Sequence, residues 1–469
     1  MTPDPTPATS FDAARTALLA APESPNARLR FARLLRRSPR LARPGDEALL
    51  LSLLRDERLA PQPIAPAGWM LLKTTGRLPM PDADPASAAA WLEGEDLALA
   101  LLAEAPVTSL PVERMLRALR RWLLLSDGAR GFPRASDALT RQAALNGGAW
   151  PFDAAERTAL AAGGPMLPAY RPPRPNPAPA AFAAPVTRAV AAQYEAWPYP
   201  VWRRSTDLPH DTFAAKLAAL GPDAPVAPAS PDILIAGCGT GREAAIWAAR
   251  APAGRVTAID LSAASLRYAT DRCAGIANIA FEQRDLHHVA GIGRRFDLVI
   301  CSGVLHHLAD PEAGWAALAD VLKPGGVMGI MLYSKVARLV VRSARDRIAD
   351  LLDRPVDDDL LRAVRARLTE DPAHPIVHST DFYDLGGVHD LLLHAHEDPF
   401  DIPRIQAAIG RLGLDFLGFE LPGAAARERY AAEHPHDPWR RDFAGWAAAE
   451  RGDPQLFSGM YRFWCAKAA

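Results

Sequence analysis

Residues 233–241 read Ile-Leu-Ile-Ala-Gly-Cys-Gly-Thr-Gly, and this run limits the fold more than any other feature of the chain. Four apolar residues, two of them β-branched isoleucines, suit a strand covered on both faces. Gly237, Gly239 and Gly241 then let a ligand approach the backbone with no Cβ in between. Glycines after strands also make ordinary turns, so the loop needs support from its surroundings. That support follows at once. Arg242 to Ala251 is helix-compatible, and Arg255–Asp260 reads as a second strand ending in a carboxylate. Asp260 follows Gly237 at about the 20-residue separation expected between a glycine loop and an acid that accepts from ribose hydroxyls. A third unit ends at Phe281–Asp285, a fourth strand spans Phe296–Cys301 and runs into Ser302–His307, and a fifth, Val327–Tyr333, follows the turn Lys323–Gly326. Strands alternating with helical patterns predict an α/β, Rossmann-like, mainly parallel sheet with its ligand outside the carboxyl ends of the strands.

The ordered set GCGTG, AID, RDL, FDLVICSGVLHHL and LKPGG, within about 231–469, resembles the class I S-adenosylmethionine (SAM) methyltransferases. The resemblance implies a seven-stranded sheet and SAM as cofactor. It places Gly237, Gly239 and Gly241 beneath the methionine part of SAM, Asp260 on the ribose, Asp285 toward the adenine amine, and Cys301, Ser302, Gly303 and Val304 beside the sulfonium. Cys238, Thr240, Leu261 and Leu286 are the neighbouring cofactor-binding positions. One position departs from the pattern: many families carry an acid two residues before the first glycine, and here it is Ile235. Glu243, Gln193 and Tyr194 are the candidates to meet the amino group instead. A dinucleotide-dependent oxidoreductase fits less well, because its G-x-G-x-x-G loop would need glycine where this chain has Arg242.

The chain of 469 residues is long enough for two or three domains. Net charge of −1 gives no general pull toward nucleic acid or anionic membrane. Four cysteines, at 238, 273, 301 and 465, lack C-x-x-C pairing, which points to a reduced, cytoplasmic setting without structural zinc. No signal-like amino terminus or membrane-length apolar stretch is evident.

Three parts are expected. Residues 1–163 show helix-period patterns throughout, as in Val112–Trp122, and predict an all-helical amino-terminal domain. Its segments 116–125, 141–146 and 149–152 resemble the helical region that precedes the catalytic domain in bacterial methyltransferases associated with tetratricopeptide repeats. Such a region either binds a protein partner or acts as a stabilising extension. A proline-rich linker follows over 164–189, and then the methyltransferase domain over 190–469. Its aromatic opening, Gln193-Tyr-Glu-Ala-Trp-Pro-Tyr-Pro200, belongs to the same resemblance and predicts a segment folded over the site, with Tyr194 on SAM. Between Tyr333 and Asp401 the chain far exceeds the roughly 10–12 residues a crossover needs, so an inserted helical lid is expected at about 334–400.

Methyl transfer from a sulfonium is an in-line displacement, and a base is needed only when the nucleophile starts protonated. His306 and His307 lie in the right loop for that role, a polar turn being the alternative. Tyr199, Trp202, Tyr333, Tyr383, His389 and His394 are candidate substrate contacts, with packing the alternative for Trp202. His389, His394, His396 and Glu397 lack convincing metal-ligand spacing on a helix, and no metal is expected. The chain is therefore expected to methylate a small molecule or a peptide or protein side chain. An idle SAM-binding interaction protein and an NAD-dependent oxidoreductase remain as alternatives.

Overall fold

The structure, a computed structural model, describes residues 7–56, 59–62, 64–126, 130–163, 166–172, 182, 184–202, 211–421, 424–457 and 459–468. Packing divides the chain into two units. One contains Met1–Pro175 and Ile348–His389, and the other Asn176–Trp202, Leu208–Arg347 and Asp390–Ala469. Part of the expected linker, 164–165, 173–181 and 183, lies outside the described residues.

The first unit is helical among its described residues: α1 (Pro7–Ala20), α2 (Pro25–Arg37), α3 (Glu47–Arg55), α4 (Ala65–Thr74), α5 (Pro85–Gly94), α6 (Asp96–Glu104), α7 (Leu110–Leu125), α8 (Pro133–Asn146) and α9 (Ala154–Ala161). Several starts follow from the sequence. Ser24 and Asp84 cap α2 and α5 ahead of a proline in the first turn, and Asp153 with Glu156 forms a reciprocal capping box on α9. In α7 the buried Val112, Met115, Leu116, Leu119 and Leu123 recur at helical spacing and face the unit's apolar core.

Residues 348–389 belong to this unit, which divides the expected lid. The physical reason lies in two buried arginines, Arg365 and Arg362. Arg365 donates through Nη2 to Glu113 Oε2 at 2.8 Å, through Nη1 to Ala149 O at 2.9 Å and through Nε to Phe382 O at 2.7 Å. Arg362 Nε donates to Gly148 O at 2.8 Å. The polar turn after α8 is thus held from the inserted segment, and the buried charges of Arg365 and Glu113 satisfy one another.

The second unit carries a seven-stranded sheet: β1 (Asp232–Ala236), β2 (Arg255–Asp260), β3 (Ile279–Gln283), β4 (Phe296–Ser302), β5 (Leu322–Tyr333), β6 (Leu414–Phe419) and β7 (Met460–Lys467). The order is β3-β2-β1-β4-β5-β7-β6. The first five are parallel, and β7 runs antiparallel between β5 and β6. In β1, Leu234 and Ala236 enter the apolar layer on one face while Ile233 and Ile235 enter that on the other, so the continuous apolar run is a strand buried on both sides. The strand order reverses between β1 and β4, which opens a crevice at their carboxyl ends.

Helix α10 (Pro185–Ala196) precedes the sheet, starting inside the range expected for the linker. After it come α11 (Phe213–Ala218), α12 (Arg242–Arg250), α13 (Ala263–Arg272), α14 (Pro311–Asp320), α15 (Leu339–Asp346), α16 (Asp358–Leu368), α17 (Leu385–Leu392) and α18 (Ile402–Arg411). Asp401 caps α18 by accepting from Arg404 N at 3.0 Å, as its place before Ile-Pro predicts.

Candidate active site

Between β1 and α12 the three loop glycines adopt φ of +71°, +51° and +84°, a region that L side chains rarely enter. Their surroundings are equally restrictive. A Cβ on Gly237 would overlap Val304, and one on Gly241 would lie 2.6 Å from the Ala269 Cβ. Asp260, at the end of β2, accepts from Gly239 N at 2.7 Å and from Ser262 N at 2.9 Å. Its carboxylate therefore ties the glycine loop to the start of α13. Burial pushes that carboxyl up while the backbone donors oppose the shift. A loop free of Cβ atoms with a carboxylate at the end of the adjacent strand fits a nucleoside-bearing cofactor.

The segment upstream of the sheet closes over this loop. Thr240 Oγ1 donates to Pro200 O, Trp202 Nε1 donates to Thr240 O at 2.8 Å, and a Cβ on Gly239 would meet Tyr199 O at 3.0 Å. Trp202 is buried with Ala245 and Cys273 and so packs against the loop, the alternative weighed for it from sequence. Three consecutive residues of α10 then reach three different places. Gln193 Oε1 accepts from Ala395 N at 2.9 Å, Tyr194 Oη donates to Asp390 Oδ1 at 2.7 Å, and the Glu195 carboxylate accepts from Ala264 N at 3.2 Å, at the start of α13.

A polar cluster stands past the carboxyl ends of β4 and β5. Asp390 accepts from Tyr194 Oη and, at 3.2 Å, from Tyr333 Oη. Tyr194 Oη lies 3.2 Å from His394 Nε2, while His394 Nδ1 accepts from His396 N at 3.1 Å. These bonds assign the proton of His394 to Nε2, which donates to the phenol. His307 Nδ1 is 2.8 Å from His396 O and carries the proton there, leaving a lone pair on Nε2. The rings of His307 and His394 stack at 3.5 Å. His306 Nδ1 accepts from Tyr333 N at 3.2 Å, and its Nε2 has no hydrogen-bond partner among the described residues. Burial holds His306 well below the usual imidazole range and lowers His307 to about 3, so both are neutral. Burial and then the Asp390 carboxylate raise the Tyr194 phenol well above its usual value. Arg338 lies 4.3 Å over the Tyr333 ring and pairs with Glu397, its charge thereby neutralised.

The remaining positions fall in various places. Ser302 and Gly303 end β4, and Gly303 has φ +73°. Cys238 and Cys301 point into the apolar layers on opposite faces of the sheet, where burial raises both thiols. Leu286 also lies in a layer. The Leu261 carbonyl accepts from Gln283 Nε2 at 2.8 Å. Asp285 Oδ1 accepts from His287 N at 2.9 Å and so caps the turn after β3. Tyr383 and His389 belong to the helical unit, where Tyr383 is buried and its hydroxyl donates to Val377 O at 2.8 Å. Sequence reasoning missed Asp390 and Arg338. Their only signal was that an acid and a base sat among the histidines and tyrosines of an unusually long crossover.

This topology and glycine loop define a class I SAM-dependent methyltransferase domain, the class that uses SAM as cofactor. Residues 233–326 match the family described as Methyltransferase domain. An uncharacterized protein of Synechococcus sp. is 32% identical over 262 residues, covering 50% of this chain and 60% of that protein. Trans-aconitate 2-methyltransferase of Deinococcus radiodurans is 35% identical over 119 residues, covering 25% of this chain and 43% of that enzyme. The chain thus spans about half the length of these curated relatives. The solved structure of PKMT2 from Rickettsia typhi is 13% identical, with a TM-score of 0.42, covering 55% of this chain and 54% of that one. Among the described residues no helix is long and apolar enough to cross a membrane.

Proposed function

We propose that the protein is a SAM-dependent methyltransferase acting on a small molecule or a peptide or protein side chain, with its acceptor beside Asp390. The carrying observation is the hydrogen-bonded cluster of His394, Tyr194, Asp390 and Tyr333 past the ends of β4 and β5, built partly from the helix that also fixes the start of α13. In this reading Gly237, Gly239 and Gly241 carry the methionine part of SAM and Asp260 serves its ribose. Ile235 supplies no charge, and of the three candidates for the amino group Gln193 and Tyr194 are already bonded elsewhere. Glu243 is then the best placed, since it stands in the first turn of α12, directly after the glycine loop. SAM, when bound, supplies an electrophilic methyl group. His307 accepts a hydrogen bond from the nucleophile, because its Nε2 lone pair is uncommitted whereas His306 spends Nδ1 on the backbone of Tyr333; burial makes it a weak base, so a protonated nucleophile loses its proton to solvent before transfer. The domain architecture follows the same reading: a helical unit that includes 348–389, and a catalytic unit around the sheet.

The test is incubation with methyl-labelled SAM and fractionated cell extract, together with melting curves in S-adenosylhomocysteine and in NAD. Label in a product, with a melting shift from S-adenosylhomocysteine alone, is expected. At about 100 times its dissociation constant a ligand adds roughly 2.7 kcal/mol. A shift from NAD alone would overturn the reading.

A further inference from the structure

Asp390 is buried, and among the described residues no lysine, arginine or histidine forms an ion pair with it. Several other buried acids among the described residues are matched by a cation: Glu113 by Arg365, Asp56 by Arg28 and Glu95 by Arg77. Glu450 and Asp437 also lack a cation, but Glu450 is enclosed by core residues with Ser334 and Tyr461 as its donors, and Asp437 is filled by Tyr430 Oη and the backbone amides of Arg441 and Asp442. Asp390 differs in what surrounds it. Tyr194 and Tyr333, its two phenol donors, are partly exposed, and the imidazoles of His307 and His394 complete an aromatic rim. The groups left for a ligand are then the carboxylate's remaining lone pairs, the Nε2 lone pair of His307 and the face of the Tyr194 ring. All of these attract a positive, donor-rich group.

We propose that Asp390, with the ring of Tyr194 and the Nε2 lone pair of His307, recognises an ammonium group, so that the methyl acceptor is an amine. This rests on the methyltransferase reading and narrows its substrate class. A metal cation would also seek acceptors, and ring nitrogens of His307 and His394 lie within 4.8 Å of an Asp390 oxygen. His394 cannot join as a ligand, because its Nε2 carries the proton donated to Tyr194 and its Nδ1 accepts from His396 N. Two remaining ligands fall short of the three protein ligands of an ordinary catalytic site. An organic cation needs no such coordination number. For transfer, the ammonium nitrogen first loses one proton to solvent, and the free amine donates a hydrogen bond to His307 Nε2. The freed nitrogen pair forms the N–C bond to the methyl carbon while the C–S electron pair stays on sulfur, leaving a methylated ammonium and a neutral thioether.

The experiment is calorimetric titration of the full-length protein, loaded with S-adenosylhomocysteine, with ethanolamine and with N-methylethanolamine, each against its uncharged carbon analogue. Both ammonium ions are expected to bind at least about tenfold tighter than their analogues. Asp390→Asn is expected to erase that preference while S-adenosylhomocysteine affinity stays unchanged. Equal binding of charged and neutral probes, no saturable binding of either ammonium ion, or a preference that disappears with EDTA and returns with zinc or manganese would each overturn the proposal. Because the charged and neutral probes are compared on the wild-type protein, a poorly folded variant does not decide the matter. Failure to bind S-adenosylhomocysteine in the loading step would instead count against the methyltransferase reading itself.

Discussion

Tyr194 and Asp390, separated by 196 positions, meet through a 2.7 Å hydrogen bond in which the phenol donates to the carboxylate. The bond joins the helix preceding the sheet to the segment that returns to it after the insertion. Neither residue belongs to the glycine-loop motif that identifies the domain.

Tyr194→Phe keeps the ring and removes the donor. A hydrogen bond to a charged group contributes about 1.5–3 kcal/mol, so kcat/KM should fall roughly 10- to 150-fold. SAM affinity measured by calorimetry should change by less than about threefold, since the phenol bonds Asp390 and His394 rather than the glycine loop. A large loss of SAM affinity would instead place this phenol on the cofactor.

Acid should destabilise the catalytic unit before the carboxylates begin to titrate. His307 titrates near 6.5 when unfolded and near 3 when folded. Between those values the unfolded chain binds more protons, so the stabilisation is complete above pH 6.5 and is lost as the pH falls toward 3. The slope from this one group reaches about 1.4 kcal/mol per pH unit, and His306 shifts in the same direction. Urea midpoints measured at several pH values across the window should show the slope, and His307→Gln should flatten it. A flat profile in the native protein would mean that these imidazoles are hydrated.

Asp260→Ala should weaken SAM binding by about 1.5–3 kcal/mol. It should also lower the melting temperature of the protein without ligand, because the carboxylate holds Gly239 N and Ser262 N. A ribose contact alone would leave that melting temperature unchanged, so scanning calorimetry separates the two contributions.

Arg365→Met leaves Glu113 buried and unmatched, at a cost of about 3–5 kcal/mol. The double variant with Glu113→Leu should recover part of that loss in urea unfolding. An additive double variant would show that the pair is not coupled.

Much of the sheet was legible because period and spacing are local properties. Ile233–Gly241, Asp260 and the Asp401 cap each announce themselves within a few residues. The candidate acceptor cluster was only half legible. Tyr194, His307, Tyr333 and His394 stood out as chemistry-bearing residues, yet nothing local says that Asp390 receives two phenols or that Arg338 is neutralised by Glu397. Trp202 shows the converse. Its aromatic neighbours allowed either a ligand wall or packing, and its indole N–H is spent on Thr240 O and its ring on Ala245 and Cys273. The division of the insertion was likewise hidden, because it depends on Arg362 and Arg365 meeting a turn more than 200 residues earlier in the chain.

Successive side chains on an α-helix project about 100° apart. Gln193, Tyr194 and Glu195 therefore fan into three sectors, each with its own partner: Ala395, Asp390 and Ala264. Deleting a single residue from the exposed side of α10, such as Ala192, would turn this fan by one sector and offer every partner the wrong side chain. Angular phase, more than length or composition, is what this helix has to preserve.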